Sequence, residues 1–236
     1  MRTMIRAATI SRILPALMFA SFAAAAADWS LSVAGGATRA DTAKLAQQHA
    51  VDFPFASRTS GSESSGAWRV AAGRSFSPQL SIEASYSDYG RQRLEVSGSP
   101  NPIVFPEEVL SEARSSERQV TAWGLDLVVR VPVSGNFSVL ASLGGAYATV
   151  KLDSRTVATA GFPFGSGPKD ASFSARERSF APRLTLGGAW IPAPEWELQL
   201  TYEYLDSVGS DFAQGAQDRT GRSNQSTGWL TLMRRF

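Results

Sequence analysis

Glu195-Trp196-Glu197-Leu198-Gln199-Leu200-Thr201-Tyr202-Glu203-Tyr204-Leu205-Asp206 alternates without a break. Trp196, Leu198, Leu200, Tyr202 and Tyr204 share one parity, and Glu197, Gln199, Thr201 and Glu203 share the other. Successive side chains of a strand point to opposite faces, so the stretch is predicted as a β-strand with one apolar and one polar face. Aromatic side chains stand near both ends of the apolar face. About ten residues is also the length that a tilted strand needs to cross a bilayer.

The same pattern recurs along the chain. Strands are predicted at 29–37, 66–74, 79–89, 118–133, 137–151, 179–191, the stretch above, and 226–236. Their connections alternate in length. Ser75-Phe76-Ser77-Pro78, Ser134-Gly135-Asn136 and Pro192-Ala193-Pro194 read as tight turns, whereas 38–65, 90–117, 152–178 and 207–225 read as long polar loops. Within the second loop, Glu107 to Ser115 has the composition for a short helix. The expected fold is all-β: an eight-stranded antiparallel up-and-down transmembrane β-barrel with short periplasmic turns and long extracellular loops. Closure leaves no free strand edge, as lipid requires.

The first 27 residues are expected to be removed. Arg2, Arg6 and Arg12 form a basic leader, Ile13 to Ala20 is a short apolar core, and Ala25-Ala26-Ala27 is a small-residue cleavage site. Residues 1–27 thus read as a signal peptide and 28–236 as the barrel. The formal charge of +2 falls to near −1 once a leader with three Arg and no acid is gone, which leaves a nucleic-acid partner without electrostatic support. There is no Cys, hence no disulfide framework and no thiolate chemistry.

A soluble lipocalin-like barrel also alternates, but with its apolar face inward. Three features point the other way. The polar parity mixes small residues with charges of both signs. Aromatics (Trp29, Trp68, Tyr86, Trp123, Phe137, Tyr147, Trp190, Trp196, Tyr204) sit near strand ends of the apolar parity, as in a membrane girdle. The chain closes on Phe236 at a strand end. With the apolar parity toward lipid, the lumen receives Arg69, Glu83, Asp126, Arg130, Arg183, Glu197, Glu203 and Arg235, four of each sign. Each needs a partner in so narrow a space. Neighbouring strands suggest Arg183 with Glu203, Glu197 with Arg235, and a cluster of Glu83, Asp126 and Arg130 near Arg69.

Leu80-Ser-Ile-Glu-Ala-Ser-Tyr-Ser-Asp-Tyr-Gly90 and Leu198 to Asp206 resemble strand ends of the outer-membrane protein A-like β-barrel family, where an aromatic-Asp pair leads into an outer loop. Leu230-Thr-Leu-Met-Arg-Arg-Phe236 resembles the terminal strand signal read by the barrel-assembly machinery, with Phe236 as the assembly signal. Arg234 departs from that signal, which usually has an aromatic or apolar residue there. The resemblance implies the bacterial outer membrane, with its lipid and lipopolysaccharide as partners, and carries no specific activity. No peptidoglycan-binding domain is expected beyond the last strand.

Catalysis is not expected. His49, the only histidine, lies in the first loop near Asp41 and Asp52, with no nucleophile placed beside it and no metal-ligand spacing. No cofactor-binding pattern is present; Gly161 to Gly167 lacks the Lys and the strand-helix context of a phosphate loop. The apolar loop spots Phe53-Pro54-Phe55, Ile103-Val104-Phe105 and Phe162-Pro163-Phe164 suit either an extracellular ligand or host surface, or a cap over the barrel mouth. Three roles are consistent with this: adhesin-like surface binding, passive structural support of the envelope, and a narrow pore for a small solute or hydrophobic ligand.

Overall fold

A computed structural model describes residues 29–41, 56–62, 64–98, 109–161, 169–209 and 222–236. Among them run nine antiparallel strands: β1 (Trp29–Ala40), β2 (Ala56–Ser62), β3 (Ser64–Ser75), β4 (Leu80–Gly98), β5 (Val109–Ser134), β6 (Phe137–Gly161), β7 (Lys169–Ala193), β8 (Trp196–Val208) and β9 (Ser223–Arg235). β2 and β3 both pair with β4 and form one stave in two pieces. β1 pairs with β9, and β4 pairs with β5, so eight staves close into a barrel.

The apolar parity faces outward. Leu125, Leu127, Val129 and Val131 of β5 are exposed, as are Leu143 of β6, Leu184 and Leu186 of β7, Leu200 of β8 and Leu230 of β9. Register binds these rows together: Leu127 faces Leu143, and Leu143 faces Leu184. Aromatic rings border the band at both ends. Trp68, Tyr86 and Trp123 form a tilted row around one end, with centroid spacings of 5.6 and 4.9 Å, while Phe137 stacks on Trp190 at 6.4 Å at the other. So much uncovered apolar surface suits hydrocarbon as the surrounding medium.

The turns at the Phe137–Trp190 end are short. Gly135 and Asn136 join β5 to β6, and Pro194 and Glu195 join β7 to β8. Between β3 and β4 the Ser77 hydroxyl accepts from the Leu80 amide at 3.1 Å. At the far end the strands run well past their expected limits. β4 continues to Gly98, β5 begins at Val109, and β6 and β7 reach Gly161 and Lys169. The helix expected over Glu107 to Ser115 is therefore wrong from Val109 onward: Ala113 and Ser115 sit in register with Val157 and Arg155. A two-sided main-chain ladder overrides a weak local helix preference.

The lining explains why these extensions escape a hydropathy reading. Beyond the Trp123–Tyr147 row, polarity inverts. Thr149, Lys151 and Asp153 of β6 face outward, while Ala148, Val150 and Leu152 are buried inward. Water replaces lipid outside, so the same strand switches from membrane-barrel to soluble-barrel patterning.

The Asp88-Tyr89-Gly90 tip, expected to open a loop, is instead a bulge in mid-strand. The register slips between Asp88 and Arg91, Gly90 adopts φ +75°, and its amide donates to Asp88 Oδ1 at 2.8 Å. Tyr89 keeps the inward parity of Ser85 and Ser87, and the slip reverses the parity beyond it, so that Gln92 and Leu94 turn into the lumen. A Cβ on Gly90 would collide with the Gly66 carbonyl oxygen. Gly90→Val is expected to destabilise the barrel by at least about 1–2 kcal/mol, the left-handed penalty alone. A lowered midpoint of the gel-mobility shift on heating would register the loss, and an unchanged midpoint would refute it.

Candidate functional site

The lumen charges fall into two groups. In the first, Arg183 donates from Nε to Asp126 Oδ1 at 2.8 Å and from Nη2 to Asp126 Oδ2 and to Ser85 Oγ, the latter at 3.0 Å. Its Nη1 lies 3.8 Å from Glu203 Oε2. Glu203 also accepts from Arg69 Nη2 on one oxygen and from the Tyr89 hydroxyl on the other, at 2.9 Å. Arg69 donates from Nε to Ser87 Oγ at 2.9 Å, and its guanidinium carbon lies 4.4 Å from the centre of the Trp229 ring. Apart from Arg183 Nη1, which has Glu203 only at that longer distance, the guanidinium groups here meet a carboxylate, a hydroxyl or an aromatic face, which is what burial of an ion demands.

The second group lies nearer the short turns. Arg130 grips Glu197 with two parallel bonds, Nη1 to Oε2 at 2.6 Å and Nη2 to Oε1 at 2.8 Å. Arg235 donates to the same carboxylate, and Gln199 Nε2 donates to its Oε1 at 2.9 Å. Glu197 is fully buried. Glu83 is the exception. Among the described residues it has no cation within ion-pair distance, and it lines a cavity of about 60 Å³ with Arg69, Asp126, Arg130 and Arg235. That space holds a few water molecules and nothing larger.

Small residues make the groups possible. A Cβ on Gly124 would overlap the Arg183 guanidinium, and one on Gly36 would come within 2.9 Å of the Trp229 ring.

All eight charges expected in the lumen point inward, but their pairing differs from the neighbour-strand expectation. Glu197 with Arg235 and Arg183 with Glu203 do approach across adjacent strands. The main contacts span the lumen instead: Arg183 on β7 with Asp126 on β5, Arg69 on β3 with Glu203 on β8, and Arg130 on β5 with Glu197 on β8. An eight-stranded lumen is narrow enough for an arginine to reach the far wall. Tyr89 and Trp229 were not foreseen. Trp229 carried a signal, a bulky aromatic on the lumen parity beside Thr227 and Thr231. Tyr89 carried one as well, since it shares the lumen parity of Glu83, Ser85 and Ser87.

His49, Asp52 and the three apolar loop spots lie outside the described residues, as do residues 1–27. Asp41 is exposed at the end of β1. Among the described residues no three His, Asp or Glu side chains are grouped to hold a metal.

Comparison with the curated proteins finds no match. Among solved structures, the chain is similar to the attachment invasion locus protein Ail of Yersinia pestis, at 13% identity over 89% of this chain and 99% of that one, with a TM-score of 0.44. It is also similar to OprG of Pseudomonas aeruginosa, at 11% identity over 89% and 96%, with a TM-score of 0.48. For the Neisserial surface protein A the figures are 12%, 88%, 95% and 0.39. The family model described as outer membrane protein beta-barrel domain matches residues 13–228. With that match over a closed eight-stave barrel whose apolar side faces out, the chain belongs to the outer membrane protein β-barrel domain family.

Proposed function

We propose that this outer-membrane barrel is a non-conducting envelope protein that acts by surface binding at its outer end, with residues 1–27 as its export signal. The observation that carries the reading is the length of the central staves. β5, β6 and β7 are 26, 25 and 25 residues long, whereas about ten cross the bilayer. From Trp123 back to Val109, β5 adds roughly 45 Å of strand beyond the aromatic row. A projecting ledge is of no use to a passive plug and suits contact with an extracellular ligand or host surface. Trimming the two outer hairpins, 94–116 between β4 and β5 and 154–173 between β6 and β7, each to a tight turn is expected to abolish adhesion of bacteria carrying the protein while the barrel stays heat-modifiable. Undiminished adhesion would defeat the surface-binding role.

Lipopolysaccharide fits the base of the ledge. Lys151, Arg176 and Arg178 face outward just beyond Tyr147 and Phe180, with no carboxylate in ion-pair distance among the described residues. Anionic headgroups lie at that height. Phe236, whose amide donates to the Trp29 carbonyl at 2.9 Å, is the proposed signal for the barrel-assembly machinery. The reading assigns no catalysis: Asp126, Glu197 and Glu203 are each tied to arginine.

A narrow pore is the second reading, and the cavity beside Glu83 is what favours it. Conductance separates the two. Planar bilayers containing the barrel are expected to show small or no single-channel steps, because the Arg130–Glu197–Arg235 group occupies the lumen above the short turns. Large steady currents would establish the pore.

A further inference from the structure

Beyond the aromatic row the lumen is lined by apolar side chains, among them Val120, Ala122, Ala148, Val150 and Leu205. Among the described residues one guanidinium stands in this lining. Arg118 is 3% exposed and lies five residues beyond Trp123, outside the membrane-spanning segment. Its Nη2 donates to the Val208 carbonyl at 3.0 Å. Its Nε and Nη1 have no acceptor among the described residues. Gln92, the register partner of Arg118 on β4, leaves both amide atoms without partners. On the other side, Ser223 is the register partner of Val208, and Gln225 follows two residues later on β9; the Ser223 hydroxyl and both Gln225 amide atoms are likewise unmatched.

These four side chains hold seven of the ten buried, unmatched side-chain nitrogen and oxygen atoms among the described residues, so the deficit is local. Arg118 has no ion-pair partner among the described residues either: no carboxylate, the inward Glu177 included, is within ion-pair distance of it. Burial without a compensating acid lowers its guanidinium to about 10. The contrast with Arg69, Arg130 and Arg183, each held by a carboxylate, is plain. A buried cation with free donors in apolar surroundings is a cost that a counter-ion removes.

We propose that this chamber binds one small free oxyanion (a carboxylate, phosphate or sulfate group), with Arg118 supplying the charge and Gln92, Gln225 and Ser223 the surrounding hydrogen bonds. The donors set the ligand class. Two guanidinium nitrogens, two carboxamide NH₂ groups and a hydroxyl are left without acceptors on neighbouring stretches of the lining, and charge-assisted bonds to oxyanions are the strongest that such a set can make.

The test is calorimetric titration of the full, folded barrel in zwitterionic micelles with inorganic phosphate, sulfate and acetate. One saturable site is expected, together with a phosphate-dependent rise in the thermal midpoint, since a ligand that binds the native state stabilises it. Arg118→Met is expected to weaken binding by about tenfold or more, and Gln92→Leu or Gln225→Leu by several-fold. Arg91→Gln, at an exposed ion pair on the outer face, is expected to change nothing. If Arg118→Met fails the gel-mobility test for folding, the two glutamine variants carry the comparison. No saturable binding by the native barrel would mean that the chamber is satisfied from within the chain, and would overturn the site. Binding unaltered by Arg118→Met, or by both glutamine variants, would overturn it equally.

Discussion

Glu203→Leu is expected to lower the unfolding free energy of the barrel by about 3–5 kcal/mol, the usual cost of breaking a buried ion pair from one side. Glu203 is 1% exposed, takes bonds from Arg69 and Tyr89, and faces Arg183 at 3.8 Å. Removing its charge leaves Arg69 bonded only to Ser87 and stacked on the Trp229 ring, with Glu83, in the lining of the same cavity but beyond ion-pair distance, as the remaining acid near it. The double replacement Arg69→Met with Glu203→Leu is expected to recover a good part of the loss, because two apolar groups leave no stranded cation. Equilibrium unfolding in urea, in micelles or vesicles, reads both. If the single variant proves as stable as the parent protein, the lumen charges are solvated and the closed-plug reading fails with them.

The second large effect is on the opposite face. Leu143 is 68% exposed at the middle of the apolar band, between Leu127 and Leu184. Leu143→Arg is expected to cost about 2–4 kcal/mol in lipid vesicles, the penalty for a cation near the bilayer midplane. The same substitution at Thr149, outward on the same strand but beyond Tyr147, is expected to stay within about 0.5 kcal/mol, as for an ordinary surface change. The difference between the two sites is the informative quantity. Equal costs at both would place water, not hydrocarbon, against Leu143.

These two experiments address the parts of the molecule that differ most in how readable they were. Leu143 could be assigned outward because its parity matches Phe137, Val139, Ala141 and Tyr147. Glu203 could be assigned inward from the opposite parity of Trp196 to Tyr204. Arg183 could be assigned beside it from the neighbouring strand, but its bonded partner Arg69 could not, because Arg69 is 134 residues away in sequence and three staves away around the barrel. Arg118 was readable as the first residue of a strand and, from its parity with Asp126 and Arg130, as inward. Its isolation depends on Gln92, Val208 and Ser223, which two separate bulges and two separate pairings bring to it.

The sequence by itself determined the number of staves, the short turns, and which side of each strand meets lipid. The physical reason is that a strand has period two, and a bilayer tolerates only apolar groups on the face it touches over about ten residues. Only the tertiary structure decided which lumen charges pair, because closure brings distant strands within an arginine's reach. It alone also decided how far the strands continue past the aromatic rows. There water takes the place of lipid on the outer face, the hydropathy pattern inverts, and the main-chain ladder, which carries no side-chain signature, keeps the strand going.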